Sequence, residues 1–128
     1  EHYKLASQFR KGYPDFYRTF SLDSDSPISK DLVKARIAGS KTGRNKDKVY
    51  RERHIVVDPD YYEFGSNPRH EIERFEALKA KFCQNPDLKN MLENTHNAKL
   101  IHFVRGHEPD TDILLMKLRK DMEQLCSQ

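Results

Sequence analysis

The sequence predicts a mainly α domain with one or two short β-strands, and three observations carry that expectation. Apolar residues recur at three- to four-residue steps in five separate stretches. Only two short stretches, Ile55 to Val57 and Lys99 to Val104, read as extended. Proline or glycine stands where most of the helical stretches would start or stop. At 128 residues the chain fits a single compact domain over residues 1–128, long enough to bury about two-thirds of its unfolded surface.

The first helix is expected over Glu1 to Lys11, where Leu5, Ala6 and Phe9 share a face before Gly12 and Pro14 end it. An aromatic cluster follows at Tyr13, Phe16, Tyr17 and Phe20, then a polar loop from Leu22 to Ser26. Ser26-Pro27 is a helix-start pair, and Ile28, Leu32, Ala35 and Ile37 form the buried face of a second helix that Gly39 closes. Gly39 to Lys48 is the loosest and most basic stretch, with Lys41, Arg44, Lys46 and Lys48 and no apolar residue. Gly65 to Pro68 reads as a turn. From Pro68 to Phe82 the stripe Ile72, Phe75, Leu78, Phe82 predicts a helix, acidic early and basic late as the helix dipole favours. Pro86 starts a short helix through Leu88, Met91 and Leu92. Asp110 or Thr111 is expected to cap a last helix lined by Leu114 or Leu115, Leu118, Met122 and Leu125.

Composition narrows the function classes. Hydrophobic residues make up 36% and charged residues 34%, so a compact core under a densely charged surface is expected. No apolar run is long enough to span a bilayer and no basic-then-apolar leader opens the sequence, although it starts at Glu1 rather than methionine. A soluble protein of the cytoplasm, or of the nucleus in a eukaryote, is the expectation. The net charge of +3 is compatible with a nucleotide or nucleic-acid ligand and equally ordinary for a lysine-rich domain. Cys83 and Cys126 have no paired-ligand spacing and are expected as reduced thiols. The six histidines are scattered, so no metal is expected.

The segment Gly39-Ser40-Lys41-Thr42-Gly43-Arg44 lacks the spacing of a nucleoside-triphosphatase phosphate loop and follows a helix, not a strand. Its glycines still let backbone N–H groups approach an anion, and Lys41 and Arg44 add charge. Its plainer reading is a solvated basic linker. Among the acidic residues, Glu73 and Glu76 read as the solvent face of their helix. Glu1, beside His2 and Tyr3, could serve as an acid or base if its helix opens on a cleft, and is otherwise an exposed terminus. His102, inside a strand, reads as packed or hydrogen-bonded.

Three separated blocks resemble the NADAR family. Glu1-His2-Tyr3 with Ala6 and Phe9 is similar to the family's E-H-Y-x-Q-A-x-K-F helix. Ala77 through Asn85, then Leu88, Leu92, Thr95 and Ala98-Lys99-Leu100, resembles its A-L-x-A-K-F-x-Q-N signature and the leucines that follow. Leu114-Leu115-Met116-Lys117-Leu118-Arg119 is similar to its closing helix, and Ser26-Pro27 with Ala35-Arg36-Ile37 matches a less specific stretch. The departures are equally specific. Leu5 and Gln8 replace the family's glutamine and lysine in the first helix, with Lys4 one turn before Gln8 on the same face. Arg105 to Asp110 stands where the family has a tryptophan loop, and the chain has no tryptophan.

The resemblance implies an N-glycoside hydrolase acting on an ADP-ribose-linked base or nucleoside, such as ADP-ribosylated guanine in DNA or RNA, with no cofactor. It casts Glu1 as the carboxylate that stabilises an oxocarbenium-like state, with Lys4 or Lys41 as the alternative nucleophile through a transient imine. Arg36, Lys41 and Arg44 would hold the pyrophosphate, with Gly39, Ser40 and Gly43 shaping the approach. Tyr3 or a residue of the Tyr13 to Phe20 cluster would stack on a base, and Asp110 would complete the binding set. The alternative is a non-catalytic nucleotide or nucleic-acid-binding module of the same fold. A third option, a helical protein-interaction domain, predicts an exposed apolar patch and no nucleotide pocket.

Overall fold

The computed structural model describes residues 1–63, 65 and 68–127. It is mainly α, with two short two-stranded antiparallel sheets. The chain divides into two compact units, Glu1–Glu73 and Arg74–Gln128.

In the first unit, α1 (His2–Ser7) is followed by α2 (Pro14–Arg18), a single 3₁₀ turn (Leu22–Ser24), α3 (Pro27–Lys30) and α4 (Leu32–Ala38). Helix α1 is shorter than expected, because from Gln8 the backbone tightens into successive turns that run to Gly12. The helix predicted from Ser26 to Gly39 is two helices. Asp31 between them is extended, with φ −139°, and its carboxylate accepts from Val33 N and Lys34 N, so it caps α4 as a separate start. Ser26 and Pro27 start α3 as expected, and Gly39 ends α4. The basic stretch carries a minimal hairpin, β1 (Arg44–Asn45) with β2 (Lys48–Val49), in which Arg44 faces Val49.

The strand expected at Ile55 to Val57 does not form. That segment has no ladder partner among the described residues, and Ile55 and Val57 instead pack their branched side chains on the first core. This core is Ala6, Phe9, Phe20, Ile28, Ala35 and Ala38. Phe16 meets both Phe9 and Phe20 edge to face, at centroid distances of 5.0 and 5.4 Å, the geometry that ring quadrupoles favour. The turn expected at Gly65 to Pro68 falls largely outside the described residues.

Helix α5 (Arg69–Gln84) supplies its first residues to the first unit and the rest to the second. The second unit continues with α6 (Pro86–Glu93), the pair β3 (Ile101–His102) and β4 (Asp110–Thr111), and α7 (Ile113–Cys126). Its core is Leu92, Leu118 and Met122, with Phe75, Leu78, Phe82, Leu115 and Leu125 packed against them. The stripes read from the sequence mostly face inward in this unit, but Ile72 stays 42% exposed and Met91 65% exposed. The extended segment at Lys99 to Val104 shrinks to two residues, and His102 is exposed rather than packed. Asp112, not Asp110 or Thr111, caps α7: its Oδ1 accepts from Leu115 N at 3.1 Å.

Cys83 and Cys126 are joined in a disulfide, which corrects the expectation of two reduced thiols. The ends of α5 and α7 lie side by side, so residues 43 apart in sequence come within bonding distance. No helix among the described residues is long and apolar enough to cross a membrane.

Candidate substrate site at the first helix and the basic loop

Glu1, Tyr3 and Lys4 are positioned by α1, whose inward face is anchored by Ala6 and the turn residue Phe9. His2 bonds the Ile28 carbonyl through Nε2 at 3.0 Å, fixing the start of the helix against α3. Glu1 Oε1 lies 4.0 Å from Arg36 Nε on α4, with both side chains open to solvent. Gly39 makes this approach of α1 and α4 feasible. A Cβ there would stand 2.8 Å from Leu5 Cδ2 and 2.9 Å from Leu5 Cβ, too close for a side chain. Gln8 bridges the same two elements, its Nε2 donating to Leu5 O at 2.9 Å and Gly39 O at 3.2 Å. Gln8 is buried, whereas Lys4, one turn before it, is exposed.

The loop after Gly39 is a built structure, not a slack linker. Ser40 Oγ donates to Ile37 O at 2.6 Å and accepts from Gly43 N at 3.2 Å. Arg51 lies beneath the loop, 6% exposed. Its Nη1 donates to Ala38 O at 2.7 Å and Ser40 O at 2.8 Å, and its Nη2 donates to Lys41 O at 3.0 Å. The guanidinium also sits 5.0 Å from the Phe9 ring centroid. No carboxylate pairs with it among the described residues, and burial holds its pKa below the ordinary arginine value. Gly43, at φ +72°, closes over it: a Cβ there would fall 2.5 Å from Arg51 Cβ. Three carbonyls turned inward on one cation leave Lys41 and Thr42 at the surface, with Arg44 half-buried at the start of β1.

A second polar cluster ties α1 to the first turn of α5, and sequence reasoning missed it. Arg69 Nη1 donates to Asp58 Oδ2 at 2.7 Å and Asp60 Oδ1 at 2.9 Å, and its Nη2 donates to Ser7 O at 2.8 Å. Glu73, expected on a solvent face, is 5% exposed. Its carboxylate accepts from Tyr3 Oη at 2.8 Å and from Arg10 Nη1 at 2.9 Å, with Arg69 Nε at 3.6 Å. Burial, then the bond to Glu73, pushes the Tyr3 hydroxyl up to about 12. Lys11 and Arg69 hold the Asp60 carboxyl below its usual range. Every charge in this cluster has a partner, which makes it an anchor that sets the angle of α1 and not a source of labile protons.

Beside the loop lies a pocket of about 400 Å³, walled by Phe16, Ile28, Tyr50 and Ile55 and rimmed by Thr19 and Glu52. That is within the usual range for small-ligand sites, apolar walls with a few polar groups. Phe16 was among the expected stacking aromatics; Tyr50 was not, because it stands outside that cluster in sequence.

Of the expected site residues, the structure groups Glu1, Tyr3, Lys4, Arg36, Gly39, Ser40, Lys41, Gly43 and Arg44 within the first unit. Asp110 belongs to the second unit, exposed on β4 opposite His102. Among the described residues no group of three or more His, Cys, Asp or Glu could hold a metal ion. Comparisons with known proteins find no matching family model, no matching curated protein and no matching solved structure.

Proposed function

We propose that this chain is an N-glycoside hydrolase that removes ADP-ribose from a base, with ADP-ribosylated guanine in nucleic acid as the substrate to try first. The observation that carries the reading is the Glu1 carboxylate at 4.0 Å from the Arg36 guanidinium, both open to solvent, beside a glycine loop held in shape by Arg51. An exposed carboxylate paired with an arginine one turn before a basic glycine loop suits cleavage at a ribose anomeric carbon whose other end carries a pyrophosphate. The C1′–N bond breaks, positive charge grows on the ribose, and Glu1 stabilises it. Water oxygen then joins C1′, and a proton goes to the departing nitrogen. Lys4 and Lys41 are both exposed and are the candidates for an imine route, in which the amine takes C1′ before water returns it. Arg36, Lys41 and Arg44 would hold the phosphates, and the Phe16–Tyr50 pocket offers aromatic faces for the base.

The test incubates the purified chain with an ADP-ribosylated guanine oligonucleotide and follows free ADP-ribose by chromatography. Release is expected from the parent protein and is expected to be lost in Glu1→Gln, with Lys41→Ala run alongside. Full activity in Glu1→Gln would remove that carboxylate from the mechanism.

The second reading is a non-catalytic binder of nucleotide or nucleic acid. It is favoured by the loop itself, which displays Lys41, Lys46 and Lys48 at the surface while Arg51 fixes its backbone. It requires saturable binding without release, weakening steeply as salt is added. Affinity indifferent to salt would rule it out.

A further inference from the structure

We infer that the Cys83–Cys126 disulfide is a redox-sensitive clip that holds the second unit closed, so that the state of this one bond sets how tightly that unit is folded. The second unit spans only Arg74–Gln128, and its fully buried core is three side chains, Leu92, Leu118 and Met122. A unit that small lacks the apolar surface to hold itself strongly, which is the situation in which natural chains add a cross-link. The clip is placed where it constrains most. It joins the last turns of α5 and α7, the two helices that bring Phe75, Leu78, Phe82, Leu115 and Leu125 against that core. The bond closes a span of 43 residues, which contains α6, β3 and β4, and a long closed span removes much of the freedom of the opened chain.

Other polar ties of α7 lie at its first turn and at mid-helix, where Arg119 donates to Thr95 Oγ1 and Ala98 O, both at 2.8 Å. Asp112 caps the first turn and pairs with Arg74, at 2.7 Å. Among the described residues, the disulfide is the only covalent tie at the C-terminal end. Both cysteines are partly exposed, so a dithiol can reach them. In the reaction a thiolate of the reductant attacks one sulfur, forming a mixed disulfide and releasing the other cysteine, which takes a proton. The second thiol of the reductant then closes on the first, releasing the remaining cysteine. Two electrons pass from the dithiol to the protein, and the reductant leaves as its own disulfide. In a reducing compartment the clip opens; under oxidation it closes.

The test is amide hydrogen exchange on the whole chain, air-oxidised and then treated with dithiothreitol, with thiol alkylation and intact mass reporting the bond. Reduction is expected to speed exchange in α6 and α7 on the order of a hundredfold, while α1 and α4 exchange as before. A Cys83→Ser, Cys126→Ser double variant is expected to exchange like the reduced protein whether or not dithiothreitol is present. Three results would overturn the proposal: alkylation of both cysteines without reductant even after treatment with oxidised glutathione, reduction that leaves α6 and α7 unchanged, or acceleration spread evenly over both units. Because α1 and the basic loop take no part, the outcome is independent of any glycosidase assay.

Discussion

The Tyr3 hydroxyl donates a 2.8 Å hydrogen bond to Glu73 Oε2, across 70 residues of sequence, and so sets the helix that carries Glu1 against the first turn of α5. The same carboxylate takes Arg10 on its other side. Removing it leaves the half-buried Tyr3 hydroxyl without its acceptor and the largely buried Arg69 without one of its carboxylates, whereas Arg10, 52% exposed, turns to water.

Glu73→Ala is therefore expected to lower stability by roughly 3 kcal/mol, against about 1 kcal/mol for Tyr3→Phe, measured by urea denaturation. A loss below ~0.5 kcal/mol for Glu73→Ala would mean that the cluster is not an anchor.

The same bond gives an alkaline signature. Tyr3 is raised from 10.0 to about 12 in the folded protein, so the folded state holds this proton more tightly than the unfolded state does. Its contribution is complete below pH 10 and is lost as the pH rises towards about 12. Stability should fall through that window, and Tyr3→Phe should remove part of the fall. Tyr61 and Tyr62 are also raised, chiefly by burial, so the comparison with Tyr3→Phe isolates the Tyr3 share. Identical alkaline limbs for the two proteins would contradict it.

Gly43 and Arg51 form one device. At φ +72° and with Arg51 directly beneath, Gly43→Ala meets both backbone strain and a clash, costing roughly 2 kcal/mol or more. Arg51→Lys keeps the charge and loses the planar fork that reaches three carbonyls, for a similar loss. Hydrogen exchange over Gly39 to Val49 should quicken in both variants. Unchanged exchange there would mean that the loop does not depend on Arg51.

Asp112 joins two roles, capping α7 and pairing with Arg74. Burial alone would raise its pKa, but the hydrogen bonds from Arg74 and Leu115 N outweigh it and leave the carboxyl below 3.8. Its contribution is present above pH 3.8 and is lost as the pH falls through the lower folded value. Asp112→Ala should cost about 2–3 kcal/mol at neutral pH and shrink the acid-induced loss of structure in α7 seen by circular dichroism. An acid limb as steep as that of the parent would assign the acid sensitivity elsewhere.

Much of the helical frame is determined by the sequence itself, because helix signals are local. The stripe Phe75, Leu78, Phe82 and the stripe Leu115, Leu118, Met122 each lie within a few turns, and both face the core that periodicity assigned them. Ser26 and Pro27 start α3, and Gly39 ends α4, for reasons contained in a handful of neighbouring residues. The sequence also singles out Glu1, Arg36 and Gly39 as candidates, and what the structure adds is the 4.0 Å approach of Glu1 to Arg36 and the packing of Gly39 on Leu5. What the tertiary structure alone decided depends on partners distant along the chain. Glu73 has the same polar character as Glu71 and Glu76, and only the arrival of Tyr3, Arg10 and Arg69 buries it. Arg51 reads as one arginine among many until three carbonyls turn towards it. Ile55 to Val57 has the composition of a strand, yet a strand exists only if another edge pairs with it, and here its side chains go to the core instead. Cys83 and Cys126 have no local spacing that announces a bond; the meeting of two helix ends makes one. Periodicity reports which face of an element is apolar, whereas pairing is a property of two elements and is settled where they meet.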